Sequence, residues 1–394
     1  MKNLILFSLV LFIFISCNSN DDTNYSDVDP YANIKATFGT NIDVENLDNY
    51  ANQSVPFYIT KFNGQSNVIT DKGATLGRVL FYDKNLSSNN TISCASCHNQ
   101  ENGFSDTAIA SVGVNGTTAR HSMRLINARF STESKFFWDE RASSLEIQTT
   151  MPIKDHGEMG FSGTNGDEPF SALLTKLENI GYYKELFKFV YGAEEVTEVK
   201  IQNALAQFIR SIQSFDSKYD VGRSQVNTEN QPFPNFTTQE NLGKNLFLSP
   251  PVFNANSERI SGGLGCQGCH RAPEFDIDPN ALSNGIGGSI NGGADFTNTR
   301  APSLRNLTDA VGNPVGPMMH TGVITTLQAA VGHYGNLTNA AINNPNLDNR
   351  LKPNGIGQQL NLNTTEVDAV IAFLKTLSGT GVFTDEKWSD PFIN

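Results

Sequence analysis

Two short phrases, CASCH at Cys94–His98 and CQGCH at Cys266–His270, constrain this chain more than anything else in it. Each sets two thiols two residues apart with a histidine directly after them. That spacing is the attachment site of a c-type haem: the thiols add across the two vinyl groups, and the imidazole becomes an axial ligand of the iron. Two other chemistries use paired cysteines. A four-thiolate zinc site wants its two pairs roughly 15 to 20 residues apart, whereas these pairs lie 172 positions apart and each has its own histidine. A thioredoxin-like redox pair belongs to a βαβ context and needs no histidine after it. Both fit less well than two haems, held by Cys94, Cys97 and His98 and by Cys266, Cys269 and His270.

The fifth cysteine, Cys17, closes the opening MKNLILFSLVLFIFISC. Lys2, an apolar run too short to cross a membrane as a mature helix, and Ser16 together read as a secretory signal with a lipoprotein cleavage site. The alternative is a plain signal peptide with an incidental cysteine. Cleavage before Cys17 would leave it acylated, on the periplasmic or cell-surface side of a membrane. The polar, acidic NSNDDTNYSDVDP that follows would then be a flexible tether.

A chain of 394 residues, 17% charged and 38% hydrophobic, with 33 Gly and 16 Pro, reads as a loop-rich globule of two or three domains. Its net charge of -12 argues against a nucleic-acid partner and is compatible with a basic redox partner. The phrase LGxxLF occurs at Leu76–Phe81 and again at Leu242–Phe247, each time followed by a polar loop and the haem motif, which is an internal duplication of one cytochrome unit. Leu76, Val79 and Leu80 fall at helical spacing, and Thr237 with Glu240 forms a capping box ahead of Leu242, Leu246 and Phe247. Ile201, Leu205, Phe208, Ile209 and Ile212 share a face, predicting one long helix that closes the first unit. Val367, Val370, Ile371 and Leu374 predict a last helix, with Gly379 as its stop. Residues 227–236, with two prolines and no periodicity, read as a linker, and residues 31–66 as irregular with one helix. No segment reads as a sheet. The expectation is a mainly α protein of two tandem cytochrome c-like domains with long loops: a signal over 1–17, a tether and N-terminal segment over 18–66, and haem domains over 67–226 and 237–394.

From about Gly73 onward the order of motifs resembles the bacterial di-haem cytochrome c peroxidase family, which includes the MauG-like proteins. The phrases that carry the likeness are CASCH with GFSD at Gly103, RHSMRLINARF from Arg120, FFWDERASSLEIQ from Phe136, MPIKDHGEMG from Met151, CQGCH, APSLRN at Ala301 and MMHTG at Met318. The resemblance implies a first haem that reacts with hydrogen peroxide and a second that passes electrons to it from a small cytochrome or cupredoxin. It also implies Trp138 between the two haems as a relay, with Glu158 and Gln148 over the peroxide-reacting iron. A carboxylate there can shuttle the proton that peroxide loses from one oxygen and regains on the other, and an amide can orient it. A homodimer is an assembly the resemblance allows.

Three departures from the family pattern bear on function. Reductively activated peroxidases carry a displaceable histidine in the stretch that is ASVGVNG here, before Arg120, and this stretch has none. His121 stands where the family more often has an asparagine of an inter-haem calcium site, which weakens the case for calcium. Fourteen residues after His320, Tyr334 takes the place of the usual methionine ligand, as in MauG-like members, with adjacent His333 as the rival ligand. His156 and His320 read as structural. Three functions follow: a cytochrome-c peroxidase, a MauG-like peroxide-dependent oxidase of a partner protein residue, and a di-haem electron carrier.

Overall fold

A computed structural model describes residues 29–393. The expected signal, Cys17 and the first part of the tether lie outside the described residues. The helices in chain order are α1 (Ala32–Phe38), α2 (Asp71–Tyr82), α3 (Cys94–Cys97), α4 (Leu145–Thr150), α5 (Phe170–Glu178), α6 (Gly181–Tyr191), α7 (Glu198–Ser211), α8 (Lys218–Arg223), α9 (Thr238–Leu248), α10 (Leu327–Gly335), α11 (Asn339–Ile342), α12 (Thr364–Lys375) and α13 (Gly381–Thr384). The chain is therefore helix-rich, with long loops between α3 and α4 and between α9 and α10. None of these helices is long and apolar enough to cross a membrane.

The duplicated phrase makes the same packing twice. Helix α2 starts where the Thr70 side chain accepts from Gly73 N, and it buries every residue from Gly73 to Phe81. It crosses α7 so closely that a Cβ on Gly77 would stand 2.0 Å from the Ala204 carbonyl oxygen and 2.7 Å from Phe208 Cβ. Helix α9, opened by the Thr237–Glu240 capping box, crosses α12 in the same way: a Cβ on Gly243 would meet Ala369 O at 1.8 Å and Phe373 Cβ at 2.9 Å. The glycine of LGxxLF is thus the contact point of a helix pair, because only a missing Cβ lets the backbones approach so far. The leucine before it differs between copies. Leu76 is fully buried, whereas Leu242 is 39% exposed.

Several boundaries depart from the sequence-based expectation. The long helix closing the first unit ends at Ser211, because the next residues pair with Asn127 instead of continuing the turn: Asn127 N donates to Ile212 O, and its side chain bonds both Ser214 N and Ser214 O. Helix α12 ends at Lys375, before Gly379. That glycine serves a close approach, since a Cβ there would meet Asp216 Oδ1 at 1.7 Å. Two antiparallel ribbons exist where no sheet was expected: β1 (Pro251–Phe253) with β2 (Arg259–Gly262), and β3 (His270–Arg271) with β4 (Asp276–Ile277). Strands of two to four residues are too short to show a period of two.

Buried side chains form two main clusters. One gathers α1, α2 and α5–α7, and the other gathers α9, α12 and the loops around Phe275. The chain laces them together. Val382 and Trp388, from the C-terminal end, belong to the first cluster, and Tyr219 to the second. In the proline-containing stretch 227–236, Phe233 and Phe236 are buried in the second cluster, and Lys244 Nζ donates to Gln231 O at 2.7 Å.

Candidate haem sites

The first motif forms α3, a single turn with Ser93 and Ser96 as a reciprocal cap. Cys94, Cys97 and His98 line a small cavity together with Gln148, Glu158, Met159 and the apolar Phe81, Leu205 and Ile209 of the α2–α7 pair. Burial pushes the Cys94 thiol up to about 12 and Cys97 to about 11. A reactive redox pair needs these values moved the other way. His98 Nδ1 donates to the Phe104 carbonyl at 3.1 Å and lies 3.2 Å from Ser122 Oγ. Its tautomer is thereby set, with Nε2 left as the ligating atom.

Glu158 reaches this cavity because a strap holds its backbone. Val114 N donates to Glu158 O at 3.0 Å and Asn115 N to Gly157 O at 3.2 Å. Gly113 allows the approach, since a Cβ there would stand 2.1 Å from Gly157 O. The stretch 110–116, which lacks the displaceable histidine of activated peroxidases, is this strap. Asp155 Oδ1 accepts from Gly157 N and Glu158 N, closing the turn from beneath. Burial, then the charge of Asp155, raise the Glu158 carboxyl to about 7, opposed by Arg141. A carboxyl poised there can both accept and return a proton near neutral pH.

The second motif opens a larger cavity of about 530 Å³, lined by Cys266, Cys269, His270, Tyr334, Met319, Asn284 and the apolar faces of α9 and α12. His270, at the start of β3, has no partner for Nδ1 among the described residues. Of the two candidate ligands on α10, Tyr334 lines the cavity, while His333 Nε2 bonds the Asn284 carbonyl at 2.9 Å. Burial pushes the Tyr334 phenol well above its usual value, so its anion would need a cation beside it.

Trp138 stands on the wall of this second cavity. Its Nε1 donates to His121 O at 2.8 Å. His121 is followed in the chain by Ser122, which holds His98. The His121 ring spends Nδ1 on Ala108 O at 3.0 Å and sets Nε2 3.4 Å from Ser105 Oγ, so it is bonded as a structural residue. His320 O accepts from His121 N, its ring packs edge-on to Trp138, and its Nε2 bonds Gly288 O. His156 pairs with Asp167 at 2.9 Å beside the Glu158 turn.

Four free cysteines in two pairs face two cavities, each with a neutral histidine beside it, as covalent haem attachment requires. A second observation fits the same group. Arg124 and Arg300 line the larger cavity, and Arg124 Nε and Arg300 Nη1 have no partner among the described residues. Arg124 Nη2 donates to Ser303 O at 3.2 Å, but the unpaired N–H groups of the two guanidiniums call for an anion, which the propionates of a haem would supply. Sequence reasoning assigned no role to either arginine, nor to Ser122, Asn284 or Met319. RHSMRLINARF contains Ser122 and Arg124 and MMHTG contains Met319, whereas Arg300 and Asn284 lay in no phrase that the sequence marked.

Residues 71–226 match the family model described as di-haem cytochrome c peroxidase. The methylamine utilization protein MauG of Methylophilus methylotrophus is 28% identical over 326 residues, 80% of this chain and 84% of that protein. The cytochrome c551 peroxidase of Nitrosomonas europaea is 29% identical over 328 residues, 78% of this chain and 80% of that protein. Among solved structures, a MauG-like protein associated with microbial copper homeostasis aligns with a TM-score of 0.64 at 25% identity, over 86% of this chain and 99% of that one. The diheme peroxidase BthA of Burkholderia thailandensis shares the fold, with a TM-score of 0.55 at 20% identity over 82% of this chain and 90% of that one. With its paired CxxCH motifs, its helix-rich fold and these relatives, the chain is similar to the di-haem cytochrome c peroxidase family, whose model matches its residues 71–226.

Proposed function

We propose that this protein is a di-haem c-type peroxidase that reduces hydrogen peroxide to water with electrons from a small cytochrome or cupredoxin. The observation that carries the reading is Glu158, a carboxyl poised near 7 on the wall of the cavity that holds Cys94, Cys97 and His98. A pure electron carrier has no use for such a group. Haem iron supplies the electrons at the reacting oxygen. Glu158 takes the proton from the oxygen nearer the iron and returns it to the oxygen that leaves, while Gln148 orients the pair. Peroxide, two electrons and two protons then balance as two waters. His98 and His270 would hold the two irons, Tyr334 would be a further ligand of the second, and Trp138 would bridge the sites. The opening sequence supports export with a lipid anchor on Cys17.

The position of Tyr334 favours a second reading. An anionic oxygen stabilises oxidised iron, which suits a MauG-like enzyme that spends peroxide on a partner protein residue. Intact mass with haem staining should first show two covalent haems. Reduced protein is then mixed with hydrogen peroxide, and both haem spectra are followed with and without a small cytochrome. Catalytic oxidation of that cytochrome supports the peroxidase. Slow, donor-independent decay of the oxidised state supports the second reading, and no reaction with peroxide overturns both.

A further inference from the structure

Two donor atoms, not one, meet a single amide in the larger cavity. Asn284 Nδ2 donates to Tyr334 Oη at 3.3 Å and to Met319 Sδ at 3.1 Å. The oxygen and the sulfur therefore lie no farther apart than those two bonds laid end to end. The amide cannot turn away from them freely, because Asn284 Oδ1 accepts from Ile286 N at 3.1 Å and the Asn284 carbonyl is held by His333. Asn284, Met319, Tyr334 and His270 all line the same cavity.

Met319 is also placed there at a conformational cost. Its φ of 66° is left-handed, a region that side chains other than those of Gly and Asn seldom enter. The turn that imposes it is closed by Met318 N on Ile324 O at 2.7 Å and by Gly322 N on Met319 O at 3.1 Å. Its effect is to aim a thioether into the cavity beside the phenol. Thioether sulfur is a soft donor and an established haem ligand opposite histidine, whereas an anionic oxygen is a hard donor that favours the oxidised metal.

We propose that Met319 is a second axial donor for the haem of the second motif, exchanging with Tyr334 when that haem is reduced. The inference rests on the proposed role of Tyr334. One electron from the small redox protein stays on the iron. The iron–oxygen bond breaks, and Tyr334 leaves as a phenol with one proton taken from solvent. The sulfur lone pair of Met319 forms the new bond. Asn284 keeps both donors within reach in either state.

The test compares the haem-loaded wild type with Met319→Leu by optical and resonance Raman spectra in both oxidation states. Met319→Leu is expected to leave the oxidised spectrum unchanged. On reduction the second haem should become five-coordinate and high-spin in the variant alone, with its midpoint potential lowered. Identical reduced spectra of wild type and Met319→Leu overturn the exchange. Tyr334→Phe separates the two claims: an unchanged oxidised spectrum there removes Tyr334 as a ligand and with it the reading on which the exchange rests.

Discussion

At the scale of single residues, the proposed chemistry concentrates on Glu158. A carboxyl held near 7 is mostly protonated below that pH and mostly a carboxylate above it. The first step needs the carboxylate, so the rate of peroxide cleavage should rise with pH through about 7 and level off above it. Glu158→Gln should slow that step by about a hundredfold, the usual scale for losing a positioned acid-base group, and should abolish the inflection while both haems stay attached. Stopped-flow mixing with peroxide across pH checks both; a variant that keeps the wild-type rate and profile removes Glu158 from the mechanism. Glu158 was legible through the EMG phrase alone, as one acidic residue in a polar loop. Its burial comes from the strap at Gly113 and Val114, about forty-five positions earlier in the chain.

At the scale of elements, the repeated helix crossing is the unit that shapes each cavity. Gly77→Ala and Gly243→Ala would each push a methyl into a carbonyl oxygen of the facing helix. Overpacking of this kind costs about 1–3 kcal/mol, and each change should lower the melting temperature of the haem-loaded protein. Gly332 of α10 is the control, since a Cβ there meets nothing within 4 Å. Gly332→Ala should be neutral or stabilise by up to about 1 kcal/mol. Equal melting shifts in all three variants would remove the close crossing as the cause. The repeat itself was visible in LGxxLF, and so was the capping box at Thr237. The partner helices were visible only as apolar stripes, and their ends were not, because α7 stops where Asn127 captures the backbone beyond Ser211.

At the scale of the whole molecule, a buried ion pair ties together segments remote in sequence. Arg305 Nη1 donates to both oxygens of Asp220, and Tyr58 Oη donates to Asp220 Oδ1 at 2.8 Å. Arg305 is fully buried and Asp220 nearly so. Asp220→Asn leaves a buried cation without its charge partner and should cost about 3–5 kcal/mol. Replacing both partners, as Asp220→Leu with Arg305→Met, should recover much of that loss. Denaturant unfolding of the single and double variants checks this, and a single variant as stable as wild type would show that the pair does not tie the molecule.

The sequence by itself determined the haem chemistry and the helix-rich class. Thiol spacing, a histidine at a fixed offset, a capping box and a period of 3.6 residues all act within a few positions and need no fold to be read. Tertiary structure decided which side chains face each cavity. Adjacent residues on a helix point roughly 100° apart, so which of His333 and Tyr334 lines the cavity depended on how α10 lies against its neighbours. The meeting of Met319, Tyr334 and Asn284, and the bond from Trp138 to the His121 carbonyl, likewise depend on turns and crossings that bring distant positions together. No local pattern encodes them, because the free energy that fixes them is that of packing.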